Sequence, residues 1–191
     1  MHPALTRSRR FATLFWILLL PATAPAWAQG ESEDLEAVAR SYLETLAAMD
    51  WEKQKSYYTE ETIFEDPTAV YFGVPWKIVG GEAIADFWRS AATDAGTLEI
   101  RNEIGRLFVT GPYVVIDYAS HVRMRGDMIG FPERELEGSI EVATVLKIQH
   151  GKILHHLDHA DYASAWNELE AIKKRFEDEA AQAAAEAETD G

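Results

Sequence analysis

The feature that most constrains the fold of this chain is a change of hydrophobic period near residue 97. Ahead of it, apolar side chains recur at helical spacing. From Leu98 to His159 they alternate with period two, in the runs Leu98–Ile104, Arg106–Thr110, Tyr113–Arg125, Leu136–Gln149 and Lys152–His159. Gly, Gly-Pro and His-Gly signals separate several of these runs and read as turns between antiparallel strands. Helices first and long strands afterwards leave few ways to bury both apolar faces. The expectation is an α+β architecture in which a strongly bent antiparallel sheet wraps over N-terminal helices, with a further helix at the C-terminus.

The helical part divides by its caps. Ser32 can cap a helix from about Glu33, whose stripe is Leu35, Val38, Ala39, Tyr42 and Leu46. Asp50 interrupts the stripe and is placed to cap a short second helix, Trp51–Tyr58. Thr62–Glu65 reads as a short strand stopped by Asp66-Pro67. Thr68 to Gly81 reads as a long aromatic loop, either a lid or a cover for a sheet edge or a dimer contact. A third helix follows over Glu82–Thr93, with Ile84, Phe87, Trp88 and Ala91 on one side. Asp161 opens a terminal helix carrying Ala165, Leu169, Ile172 and Phe176. Beyond Glu177 the composition turns to Ala, Glu and Gln with nothing large to bury, and the expectation there is fraying.

Residues 1–28 have the parts of a cleavable signal peptide. Arg7, Arg9 and Arg10 are a positive start, Phe11–Leu20 is uncharged and apolar, and Pro21 precedes Ala26-Trp27-Ala28, a site of small residues before Gln29. The apolar run is short of the roughly 20 residues of a spanning helix, so a retained anchor is the weaker reading. The expected product is a periplasmic or secreted protein with no stable membrane anchor. Its parts are the signal (1–28), one domain (29–166), and a C-terminal helix with an acidic tail (167–191). Cleavage would remove three of the 18 basic residues and no acid, leaving 15 against 32 Asp and Glu, a formal charge of −17. That balance argues against nucleic acid, whose affinity rests on Lys and Arg meeting phosphates. The absence of cysteine excludes disulfides, thiolate chemistry, Cys-ligated metals and a lipid anchor attached through a cysteine at the cleavage site.

Three groups of residues carry a family resemblance. They are Ala39-Arg40-x-Tyr42 through Ala48-x-Asp50 to Tyr58-Thr59-Glu60-Glu61; Phe64-Glu65-Asp66-Pro67 with Gly81-Glu82-Ala83-Ile84-x-x-Phe87-Trp88; and His150-Gly151-Lys152-Ile153 running into Leu157-Asp158-His159-Ala160-Asp161-Tyr162. In order and spacing they resemble the nuclear-transport-factor-2-like superfamily, which includes ketosteroid isomerase, limonene epoxide hydrolase, scytalone dehydratase and the SnoaL-like polyketide cyclases. The resemblance spans about Asp34 to Trp166. It implies a cystatin-like cone around a mostly apolar pocket for a small hydrophobic molecule, with no cofactor and with a homodimer as a candidate assembly.

Four side chains are candidates for chemistry. Tyr42 and Asp66, 24 residues apart, resemble the oxyanion-hole tyrosine and general-base aspartate of ketosteroid isomerase. A buried phenol donates to a developing enolate oxygen while a carboxylate moves a proton. Tyr42 as plain core and Asp66 as a turn cap are the competing readings. Asp158 resembles the acid/base aspartate that SnoaL-like cyclases and epoxide hydrolases carry on the last strand, and strand alternation puts His156 on its face. Where ketosteroid isomerase has a second aspartate, Thr144 stands here, which argues against steroid isomerisation. The Arg-x-Asp pair of epoxide hydrolases is missing from Ile116–Val122, where Asp117 and His121 share a face instead. His155, His159 and Asp161 suggest a weak surface metal site at most, so no metal is expected. Two functions stand: cofactor-independent isomerisation, cyclisation or (de)hydration of a small hydrophobic molecule, or a non-catalytic ligand-binding or dimeric interaction module.

Overall fold

The computed structural model describes residues 27–73 and 76–189, so the export signal read on residues 1–28 lies outside the described residues but for its last two. Helix α1 (Trp27–Ala47) is followed by α2 (Trp51–Lys55), β1 (Ile63–Asp66), a 3-10 turn (Pro67–Phe72), β2 (Trp76–Val79) and α3 (Gly81–Asp94). The long strands β3 (Thr97–Thr110), β4 (Tyr113–Gly126) and β5 (Phe131–Gln149) come next, then β6 (Lys152–Ala160) and α4 (Tyr162–Thr189). No described helix is long and apolar enough to cross a membrane.

The six strands form one sheet in the order β2-β1-β6-β5-β4-β3. Strands of 14 to 19 residues accumulate twist, and register shifts at Ile104/Arg106, Arg125/Gly126 and Lys147/Ile148 add bends, so the sheet curls. Its inner face is read directly from the alternation. Val114, Ile116 and Tyr118 of β4, Leu146 and Ile148 of β5, and Phe64 of β1 are buried against Ala39, Tyr42, Leu43 and Leu46 of α1 and Ile84 of α3. A smaller cluster of Ile129, Leu136, Ile172 and Phe176 fixes α4 at the other end of the sheet.

Several boundaries differ from the periodic reading. The aromatic stretch after Pro67 is no loop. It contains the 3-10 turn and then β2, which pairs antiparallel with β1 through Ile63↔Val79 and Asp66↔Trp76. Half-buried edge strands carry too little alternation to be told from an aromatic loop. The runs on either side of Gly105 are one strand bulged there, not two. The sheet is mixed, since β1 runs parallel to β6. Helix α1 begins at Trp27, with Ser32 inside it rather than capping it. Helix α4 continues through the acidic segment to Thr189, although every side chain described from Glu177 onward is exposed. Ala and Glu propensity and i,i+4 contacts such as Lys174 to Asp178 (2.7 Å) and Gln182 to Glu186 (2.9 Å) suit that continuation.

The turn into α3 bears on the site. Gly80 has a φ of +97°, and a Cβ on Gly81 would stand 2.6 Å from Cβ of Tyr58. Glycine there lets α3 start directly against Tyr58 and hold it over α1.

Candidate functional site

The parallel register pairs Phe64 with His156 and Glu65 with Leu157. One step further along, Asp66 and Asp158 project from neighbouring strands onto the same inner face, at 1% and 4% exposure. The intervening residues turn outward. There His155 Nε2 meets Glu65 Oε2 at 2.8 Å, and Lys77 meets the other oxygen of the same carboxylate. His155 and His156 therefore lie on opposite sides of the sheet.

From Asp158 a hydrogen-bonded chain runs inward. His156 Nε2 lies 2.8 Å from Asp158 Oδ1, its Nδ1 lies 2.8 Å from the Tyr42 hydroxyl, and that hydroxyl lies 2.6 Å from Tyr58 Oη. Thr144 donates to Asp158 Oδ1 as well, at 2.5 Å. A neutral imidazole protonated on Nε2 satisfies the whole chain. Tyr58 donates to Tyr42, Tyr42 to Nδ1, and Nε2–H with the threonine hydroxyl to one carboxylate oxygen. His156, Thr144 and Tyr42 are wholly buried. Burial pushes the Tyr42 phenol well above its ordinary value, and the neighbouring Tyr58 adds to that. Burial raises Tyr58 too, partly offset by its hydrogen bond to Tyr42.

Asp66 does something different from Asp158. Its Oδ1 accepts from Thr68 N (2.9 Å), Ala69 N (3.2 Å) and Thr68 Oγ1 (2.5 Å), and its Oδ2 accepts from Tyr162 Oη at 2.5 Å. It is the N-cap of the 3-10 turn. Thr68 Oγ1 in turn accepts from Ala160 N, tying the turn to the end of β6.

A cavity of about 340 Å³ opens between the inner face of the sheet, α3 and α4. Its wall is mostly apolar and aromatic, with Trp76, Phe87, Trp88 and Trp166 among the contributors. Among the described residues that line it, Asp158 is the only charged one. Asp66, Tyr42 and His156 are not on that wall. Tyr42 and His156 stand behind Asp158. Two phenols are on the wall, Tyr118 and Tyr162. Burial raises the Tyr118 pKa, with Asp158 adding to it; burial also raises Tyr162, helped by its hydrogen bond to Asp66. Neither tyrosine is among the four candidates for chemistry, although Tyr162 closes the third resemblance motif. The available signal was that Tyr118 shares the β4 parity of Val114 and Ile116, opposite Val142 and two residues from the partner of Thr144.

The other face of the sheet accounts for the remaining polar candidates. Arg106 pairs with Asp117 at 2.6 Å, and Arg123 bridges Glu99 and Glu135 at 3.0 and 2.9 Å. His121 approaches Glu103 at 3.7 Å. Among the described residues, no group of three or more His, Asp or Glu is arranged to hold a metal ion.

A sequence model of the SnoaL-like domain matches residues 39–156, which include all four candidates but Asp158. No curated protein matches the chain in sequence. Among solved structures it is similar to a candidate SnoaL-like polyketide cyclase from Shewanella putrefaciens CN-32, with 26% identity and a TM-score of 0.63, over 73% of this chain and 97% of that one. A second such protein, from Shewanella denitrificans OS-217, also has 26% identity, with a TM-score of 0.64 over 72% and 98%. An epoxide hydrolase of the LEH-like type from M. tuberculosis shares the fold at 17% identity and a TM-score of 0.57, over 73% and 91% of the two chains. With the match covering more than half of its residues, on a cone-shaped α+β fold of the nuclear-transport-factor-2-like superfamily, this chain belongs to the SnoaL-like domain family.

Proposed function

We propose that this domain performs cofactor-independent acid–base chemistry on a small hydrophobic molecule held in the cavity, with Asp158 as the group that moves the proton. One observation carries the reading: a single buried carboxylate on an apolar wall has both its hydrogen bonds, from His156 and Thr144, on the same oxygen. Oδ1 is thereby committed, and Oδ2 is the oxygen left for a bound molecule. A carboxylate held in one orientation by wholly buried hydrogen-bond donors is prepared for proton transfer with little reorganisation. For a carbonyl compound, Oδ2 takes a proton from the carbon beside the carbonyl, and charge develops on the carbonyl oxygen. Where the enolate is conjugated with a further double bond, return of the proton from Oδ2 to the far carbon shifts that double bond; where its carbon attacks a second carbonyl of the same molecule, a ring bond forms and the new alkoxide takes the proton back from Oδ2. Tyr118, on the cavity wall and kept protonated by burial, is our choice of hydrogen-bond donor for that oxygen. Tyr42 and His156 act as positioning residues, through Asp158. Asp66 holds Tyr162 on the cavity wall. The N-terminal signal supports an exported location for this activity, outside the cytoplasm.

The test is deuterium wash-in at the activated carbon of 2-tetralone in heavy water, followed by proton NMR. Wild type is expected to accelerate exchange, and Asp158→Asn to lose about a hundredfold or more of that acceleration, the usual share of a general base. Equal rates for the two proteins would sink the catalytic reading. A binding module is the second reading, favoured by Asp66, whose two oxygens are fully occupied within the fold. It predicts that the ketone binds without faster exchange.

A further inference from the structure

Helix α4 lies beyond the stretch that the family model matches, which ends at residue 156. The helix builds part of the cavity. Tyr162, Ala165, Trp166 and Leu169 fall at i, i+3, i+4 and i+7, one stripe, and all four line the space into which Asp158 faces. All four are only partly buried, so protein packing alone does not seal this half of the stripe.

The same stripe continues into Ile172 and Phe176, and these are buried against Ile129 and Leu136. The Arg134 guanidinium covers the Phe176 ring at 4.0 Å. Two further ties hold the near half in place: Tyr162 donates to Asp66 at 2.5 Å, and Glu168 Oε2 accepts from Ser139 N at 3.1 Å. Anchored at Tyr162 and again at Ile172 and Phe176, this part of the helix presents an indole and an isobutyl group to the cavity on a rigid support.

We propose that α4 is the specificity element of this chain: Trp166 and Leu169 contact the bound molecule directly and restrict the cavity to uncharged apolar compounds. The proposal rests on the reading that the cavity takes a small hydrophobic molecule. Exclusion of anions follows from the wall itself, which offers apolar surface and one carboxylate and no described basic side chain.

Two fluorescent probes sharing a ring system separate the outcomes, neutral N-phenyl-1-naphthylamine and its sulfonated analogue 8-anilino-1-naphthalenesulfonate. Wild type is expected to bind the neutral probe at least about tenfold more tightly than the anion, a difference of about 1.4 kcal/mol. Trp166→Ala and Leu169→Ala should each weaken the neutral probe about tenfold with the melting temperature little changed, as truncation of a ligand anchor does. Trp166→Phe should recover most of the affinity, and Asn167→Ala, on the exposed side of the helix, should change nothing. Neutral-probe affinities of both alanine variants within about twofold of wild type would overturn the assignment of α4, as would equal binding of the two probes. Failure of wild type to bind either probe would instead overturn the cavity reading beneath it.

Discussion

At the scale of residues, the four polar candidates divide the work in a way that their chemistry alone does not announce. Asp158 meets the cavity, and His156, Tyr42 and Tyr58 stand behind it as a chain of buried donors and acceptors. Such a chain is costly to break in the middle, because each neighbour is left buried without a partner. Tyr42→Phe removes one oxygen and strands both His156 Nδ1 and the Tyr58 hydroxyl. We expect a loss of about 1–3 kcal/mol in urea denaturation, with the slope of the transition unchanged. A loss under about 0.5 kcal/mol would mean that the three groups are not linked as described. The same variant should slow any Asp158-dependent exchange without abolishing it, since Tyr42 reaches the ligand only through His156.

At the scale of elements, Asp66 is a joint. Its two oxygens take the N-cap of the 3-10 turn and the hydroxyl of Tyr162, so a single carboxylate ties β1, the turn and the first residue of α4. The turn is tied again through Thr68 Oγ1 to the Ala160 amide. Replacing Asp66 by alanine removes every one of its acceptors at once and is expected to cost about 2 kcal/mol or more, beyond an ordinary cap. Asparagine keeps an oxygen for the Thr68 and Ala69 amides and loses only the bond from Tyr162, so Asp66→Asn should cost less than Asp66→Ala. Chemical denaturation of the two variants gives the comparison, and equal losses would show that the cap carries none of the joint.

At the scale of the whole molecule, the inner layer is unusually rich in phenols. Tyr42, Tyr58, Tyr118 and Tyr162 all have pKa values raised by burial, each with further help from the Asp158 charge. A group whose folded pKa lies above its unfolded one contributes stability that is complete below the unfolded value, near pH 10 for tyrosine, and lost as pH rises toward the folded value. The fold should therefore weaken steadily above about pH 10. Tyrosinate absorbance at 295 nm should show these phenols ionising together with the loss of circular dichroism. Ionisation of all seven tyrosines while the dichroism stays native would contradict the burial of this layer.

The order of the layers, the long strands, the Asp50 cap and the shared face of His156 and Asp158 were all legible in the sequence. Each is a local property, written in the period of the apolar residues or in the residue just ahead of a helix. The resemblance in the Tyr42, Asp66 and last-strand segments identified the superfamily for the same reason, through short motifs kept in order. What those residues do was decided only by tertiary contacts. Asp66 came to hold Tyr162, and Asp158 to form part of the cavity wall, because β1 and β6, some 90 residues apart, lie parallel in one particular register. The aromatic stretch after Pro67 became an edge strand because β1 offered it a free side. Tyr118, Tyr162 and Trp166 joined the cavity because three separate elements converge there. A side chain's partners across the fold depend on register and on which surfaces remain uncovered once the other elements have packed, and no local pattern encodes either.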